Sequence, residues 1–361
     1  RTLWGSLIMG ATMIGWSVFA YGQFIQERVV WEVVRPVTAL GLTQLGVFLY
    51  TYLVADKDKR FLRTTFSTYI SPTLIEQMIS TKQEPRLGGS EGDHTAFFSD
   101  IQGFSLLSEQ LSATELVELL NHYLTGMTDI LLENKGTLDK YIGDSIVAFF
   151  GAPVDVRDHE YWACRTALLM QERLAQLRRE WRAEGDRWPE LVHNMQCRIG
   201  INTGPMVTGN MGTSSRMNYT MMGDTVNLAS RLESSSKQNG VAIQISESTY
   251  APVRDRVVVR DLDLVRVAGK TRPAQVYELI SEKGQEPDIY KRILPAFDEA
   301  LSLYREQQWE QAREAFKEAD KLEDMFPGRL TNPSRVYIER CEFFQNDPPD
   351  EDWDGVWTLE S

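Results

Sequence analysis

The sequence is poor in the residues that build disulfide scaffolds and zinc sites. Cys164, Cys197 and Cys341 are its only cysteines, far apart, odd in number and in no CxxC spacing. They read as reduced thiols filling small apolar positions in a cytosolic compartment. His94, His122, His159 and His193 are equally scattered, so no zinc motif is present. Basic residues are in deficit, 38 Lys and Arg against 51 Asp and Glu, for a formal charge of −13. Such a surface repels phosphate backbones and argues against nucleic acid as a partner. An anionic nucleotide stays open, because metal ions and a local basic cluster reverse the field inside a cleft. The GKT triplet at Lys270 lacks the glycine that a Walker A loop needs where Leu264 stands.

What is present begins with two uncharged, apolar stretches, residues 3–24 and 36–55, separated by Glu27, Arg28, Glu32 and Arg35. Each has about 20 residues, enough to cross ~30 Å of hydrocarbon. A pair of buried soluble helices is the alternative; the length and freedom from charge favour membrane spans over residues 1–56. Lys57, Lys59, Arg60 and Arg63 follow at once, and the positive-inside rule then places everything after residue 56 in the cytoplasm. The expectation is a multi-pass protein of the inner membrane with Arg1 on the cytoplasmic side. Arg1 in place of Met reads as a piece of a longer chain, and a sensor on the far side would need a further span upstream.

Residues 57–89 form a connector interrupted by Pro72, which either couples two chains or simply links, and 85–92 (PRLGGSEG) reads as a loop. Residues 90–282 alternate short apolar runs with amphipathic helices, the pattern of an α/β or α+β domain. HTAFFSD reads as a strand ending at Asp100, and Leu116, Leu119, Leu120, Tyr123, Leu124, Met127 and Leu131 as a helical stripe. GTLDKYIGDSIVAFFG reads as a hairpin turning at Gly143–Asp144. Asp158 is expected to cap a long helix. Residues 283–345 are expected to be helical, with Ala312, Phe316 and Ala319 at tetratricopeptide-like spacing; one such unit must pack on the catalytic domain or on a protein partner. Residues 346–361 read as a disordered acidic tail.

Chemistry concentrates in four segments. In FFSDIQGF, Asp100 ends an apolar strand before a tight turn at Gly103, a setting for a hard divalent cation beside phosphate oxygens. In DKYIGDS, Asp144 sits at a hairpin turn. Taken singly, each aspartate is more simply a turn residue, and spacing alone does not show that they meet in a two-metal clamp. In NYTMMGDTVNLASRLE, Asn227 and Arg231 share a helix face at i and i+4. That pair suits a sugar and a crowded phosphate, or else a solvated surface. VAGKTRPAQVYEL offers Lys270 after a flexible glycine.

Together, in this order, the four segments resemble the catalytic domain of class III adenylyl and guanylyl cyclases over about half the chain. The resemblance implies an α+β, ferredoxin-like βαββαβ fold, working as a homodimer with active sites at the interface. It implies that Asp100 and Asp144 bind two divalent ions, Mg2+ or Mn2+, with Ile101 lending a backbone carbonyl. Lys140 and Thr220 match the purine-reading pair in its adenine-selective form, since Lys140 donates to adenine N1 whereas guanine presents a donor there. Asn227 and Arg231 match the transition-state pair. Lys270 and Arg216 match residues that grip the terminal phosphates, and Gly103 and Phe104 fall among the substrate contacts. The implied substrate is ATP and the implied product cyclic AMP, with the metals from one chain and the base-reading and transition-state residues from its partner.

The spans and the TYISP connector also resemble bacterial cyclases with an extracytoplasmic CHASE2-type sensor. A guanylate cyclase and a catalytically silent receptor or scaffold are the competing readings. A diguanylate cyclase is set aside because Gly88–Gly89 is followed by Ser90, Glu91 and Gly92, not by a GG(D/E)EF signature.

Overall fold

The structure, a computed structural model, describes residues 2–50, 86–265, 274–323, 329–350, 353 and 357. It divides into two compact units, Arg1–Ile75 and Glu76–Ser361. In the first, helices α1 (Thr2–Glu27) and α2 (Val34–Tyr50) are joined by a short turn in which Trp31 packs against Trp16 and Phe19. Ile14, Val18 and Tyr21 of α1 are each about two-thirds exposed, so apolar side chains look outward along its length. Within α1, Ile8–Glu27 is long and apolar enough to cross a membrane. The second expected span is described as far as Tyr50, and the connector before residue 86 lies outside the described residues.

The second unit is built on an eight-stranded sheet. Its first four strands are β1 (Gly88–Ile101), β2 (Thr137–Ile142), β3 (Ser145–Phe150) and β4 (Cys197–Thr213). They stand in the order β2-β3-β1-β4, all antiparallel, which is the ferredoxin-like arrangement. Helices α3 (Phe104–Gln110) and α4 (Ala113–Glu133) connect β1 to β2, and α5 (His159–Ala183) with the short α6 (Glu190–His193) connects β3 to β4. Ser112 and Glu115 close a capping box at the start of α4. Leu119, Tyr123, Met127 and Leu131, at four-residue spacing on α4, meet Phe97, Ile101, Ile146 and Phe150 on one face of the sheet.

The other face is where the chemistry collects. Strand β5 (Arg216–Met222) folds back on the far half of β4, and α7 (Asp224–Asn239) lies across the sheet behind it. Ala96, Val147, Phe149, Met206, Met221 and Ala229 form the apolar layer beneath. α7 sits so close to β4 that a Cβ on Gly200 would fall 2.2 Å from the Glu233 nitrogen, which excludes every other residue there without a shift of the helix. Strand β6 (Ile243–Ser246) runs parallel to β4; after the short α8 (Glu247–Tyr250), β7 (Val257–Val265) and β8 (Ala274–Glu282) complete the sheet.

Three local expectations change. Residues 88–92 are strand, not loop: Gly88 and Gly89 pair with Asn210 and Gly209, and a Cβ on Gly209 would lie 2.3 Å from the Gly88 carbonyl oxygen. The missing side chains let the two backbones close up. Asp158 stands at the N-cap of α5 in the left-handed region and makes no side-chain cap; its carboxylate accepts from Arg256 instead. In the acidic tail, Trp353 and Trp357 pack on Phe344, so this part of the tail is held by its aromatics.

The C-terminal helices are α9 (Tyr290–Arg305), α10 (Trp309–Asp320) and α11 (Pro333–Asn346). Ala312, Phe316 and Ala319 are buried as expected, in a core with Phe297, Tyr304, Tyr337 and Phe344. Here α11 supplies the third layer that a helix pair lacks. The unit docks on β7: Arg305 binds Asp261, Arg340 binds Asp263 at 2.5 Å, Tyr337 donates to the Leu262 carbonyl, and Arg260 joins Glu278 and Glu323.

Candidate active site

Strand alternation decides which way Asp100 points. Phe97 and Ile101 face α4, so Ala96, Phe98 and Asp100 face the side on which α7 lies. Asp100 stands opposite Arg198 in the β1–β4 register. Its carboxylate accepts from Ser145 Oγ at 2.6 Å and from Arg198 Nη2 at 2.7 Å, and Arg198 Nε donates to Glu233 of α7 at 2.9 Å. Arg198 thus ties the first aspartate to α7, a role that nothing in its local sequence marks. Asp144 occupies the two-residue turn between β2 and β3 after Gly143, whose φ of 63° suits such a turn. Its carboxylate turns inward and accepts the Ile101 N–H at 2.9 Å, so both aspartates converge on the end of β1.

Burial, and then the charge of Asp100, pushes the Asp144 carboxyl up to about 6. Two acids held this way resist joint ionisation and call for a cation between them. Among the described residues no group of three or more His, Cys, Asp and Glu is gathered as a metal site. Two carboxylates without further side-chain ligands fit Mg2+ or Mn2+, which take water and substrate phosphates for their other positions. In protein stripped of divalent ions, folding stability is expected to fall as pH rises from the ordinary carboxylate value of 3.8 to about 6. In that window the unfolded chain has released a proton that the folded chain keeps. Melting temperatures from pH ~4 to ~7, with and without Mg2+, check this, since a saturating ion should remove the fall.

Lys140 and Thr220 also meet, across 80 residues of sequence. The β2–β3 register shifts between Leu138 and Lys140, so Asp139 is the extra residue of a bulge and Lys140 stands opposite Val147. Without the shift Lys140 would follow Leu138 to the helix-covered face. Instead its Nζ donates to Thr220 Oγ1 at 3.2 Å, with Asp139 Oδ1 at 3.5 Å. Thr220 donates to Asp139 Oδ2 at 2.5 Å. Burial raises the Asp139 carboxyl, against the opposing pull of Thr220 and Lys140.

Asn227 and Arg231 are exposed one turn apart on the outer side of α7, above Leu228 and Leu232, which face the sheet. Arg216 lies at the far end of the β4–β5 arm, four residues before Thr220, with its backbone N–H on Thr213. Gly103 takes a φ of 74° and opens α3, where Phe104 packs half-buried on the core. Lys270 lies outside the described residues. Asp139, Ser145, Arg198 and Glu233 were not among the expected site residues.

The family model of the adenylate and guanylate cyclase catalytic domain matches residues 89–281. Adenylate cyclase 1 of Rhizobium meliloti (strain 1021) is 34% identical over 216 residues, 60% of this chain and 32% of its own length. The adenylate cyclase of Anabaena cylindrica is 32% identical over 228 residues, 62% of this chain and 43% of its own. The chain therefore spans less than half of either relative. Among solved structures, the adenylyl cyclase CyaB from P. aeruginosa is 40% identical with a TM-score of 0.50, covering 56% of this chain and 100% of that one. A bacterial light-regulated adenylyl cyclase is 26% identical with a TM-score of 0.54, over 66% of this chain and 67% of that one. With the sheet order, the paired aspartates and the matched span in agreement, the chain belongs to the family of adenylate and guanylate cyclase catalytic domains.

Proposed function

We propose that the protein is an adenylate cyclase that forms 3′,5′-cyclic AMP and pyrophosphate from ATP at the interface of a homodimer. The observation that carries this reading is the Lys140–Thr220 contact on the same sheet face as the Asp100–Asp144 pair. One chain thereby holds the adenine-selective form of the base-reading pair and a complete acidic pair. Asp100 and Asp144, with the Ile101 carbonyl, would hold two divalent ions. When bound, such ions activate the ribose 3′-hydroxyl and offset charge on the triphosphate.

The protein's own groups then have distinct tasks. Lys140 and Thr220 orient the purine, Asn227 holds the ribose, and Arg231 neutralises charge that develops on the α-phosphate. Lys270, and with it Arg216, would steady the departing pyrophosphate, while Gly103 and Phe104 border the triphosphate. Arg198 keeps the Asp100 carboxylate turned toward the site. A site needing exposed Asn227 and Arg231 beside a partly buried acid pair is best completed by a second copy of the chain. The outward apolar residues of α1 support membrane anchoring, and the basic run after residue 56 supports a cytoplasmic catalytic domain. A protein partner for the C-terminal helices belongs to the same proposal.

Incubating the purified chain with ATP or GTP and Mg2+ or Mn2+, and identifying the product, tests the proposal. Cyclic AMP is expected as the main product. Cyclic GMP would overturn the adenine assignment, and no product from any nucleoside triphosphate would favour a silent receptor module.

A further inference from the structure

Thr220 carries one hydroxyl proton, and its two neighbours decide where that proton points. The Lys140 ammonium has donors only, so Thr220 Oγ1 must accept across the 3.2 Å contact. The Asp139 carboxylate has acceptors only, so Thr220 must give its proton to Oδ2 at 2.5 Å. Asp139 is built into this position. Its side chain is 2% exposed, strand alternation after Leu138 turns it toward β5, and the β2 bulge brings Lys140 to the same side beside it. With its proton committed, the Thr220 hydroxyl can offer only lone pairs to a ligand beside it.

We propose that Asp139 is a positioning residue for purine selectivity, locking Thr220 as an acceptor so that the pocket takes a purine whose 6-position donates. This rests on the reading of Lys140 and Thr220 as the base-recognising pair. Adenine presents an N6 amino donor beside the N1 acceptor and matches Thr220 and Lys140 in turn. Guanine presents the O6 acceptor beside the N1 donor and meets both groups with the wrong polarity. Lys140 alone opposes guanine at one atom. Were Thr220 free to rotate, its proton could turn to guanine O6 and half of the discrimination would be lost. Asp139 therefore acts on selectivity without touching the nucleotide.

The test is the ratio of kcat/KM for ATP to that for GTP in the full chain, in a cycle of Asp139→Ala, Thr220→Val and the double variant. Asp139→Ala should lower the ratio about tenfold, the worth of one hydrogen bond in a closed site. Asp139→Asn keeps an acceptor oxygen and should stay within about threefold of the parent. In the Thr220→Val background, Asp139→Ala should change the ratio by less than about twofold, because no hydroxyl remains to be aimed. Asp139→Ser, too short to reach Thr220, replaces the alanine variant if that one does not fold.

A parental ratio in a folded Asp139→Ala protein would overturn the proposal. So would an equal fall with and without Thr220, the mark of a general structural role. Loss of all turnover in both short variants while Thr220→Val stays active would also count against it. If Lys140→Ala and Thr220→Val leave the ratio unmoved, the base-reading assignment itself fails and takes the proposal with it. If those two move it and Asp139→Ala does not, only the proposal falls.

Discussion

Asp144→Asn is expected to lower cyclic AMP formation by about 10³-fold while making the metal-free protein more stable near neutral pH. Activity and stability separate here because the same carboxylate serves them in opposite ways. Its charge is costly in the folded chain, where burial and Asp100 push its carboxyl up to about 6. The amide of asparagine keeps an oxygen for the Ile101 N–H and removes the repulsion. It also removes half of the charge that a divalent pair requires. Product assays with saturating Mn2+, beside melting curves in chelator, read both arms. A variant that keeps a tenth or more of parental activity would remove Asp144 from the metal site.

Mixing two dead variants is expected to restore activity. Asp100→Ala and Arg231→Ala should each be inactive as homodimers. If each site takes its acids from one chain and its arginine from the other, a mixed dimer holds one intact site and one doubly damaged site. Random pairing makes about half of the dimers mixed, so about a quarter of parental activity should return in the unfractionated mixture and about half in mixed dimers isolated through both tags. Co-expression with differently tagged chains, followed by tandem purification and product assay, measures it. Activity that stays at the level of the separate variants would place the whole site within one chain.

Much of this site was legible in the sequence because its parts are local. A strand that ends in an aspartate, a hairpin that turns at Gly143–Asp144, and a helix with Asn227 and Arg231 one turn apart are all set by near neighbours. What joins them was not legible. Arg198 reaches Asp100 across 98 residues and Thr220 reaches Asp139 across 81. Both contacts depend on register, and a one-residue bulge in β2 decides which face Lys140 takes. The strand at 88–92 was hidden for a related reason. Its glycines signal a loop locally, and only the facing Gly209 turns them into a close strand pair. Asp158 failed as a cap because its backbone enters the left-handed region, which no side-chain pattern announced. The acidic character of the tail concealed Trp353 and Trp357, whose burial against aromatics outweighs the charge around them.

The docking of the C-terminal helices on β7 bears on a hazard common to open sheets. The main strand path of the sheet ends at β2 and at β7, and a nine-residue margin strand with unpaired carbonyls invites another copy to add its own strand. Tyr337 takes the Leu262 carbonyl, and paired arginines and carboxylates cover the neighbouring positions. At the opposite margin, β2 has six residues and is broken by its bulge, a poor template for extension. Strand addition is thus opposed at both ends of the main path, while the seven-residue β5, off that path, keeps an edge beside the face that carries the chemistry. In the homodimer proposed above, an isologous contact, with the same patch of that face on both copies, closes as a pair and does not propagate as a ribbon.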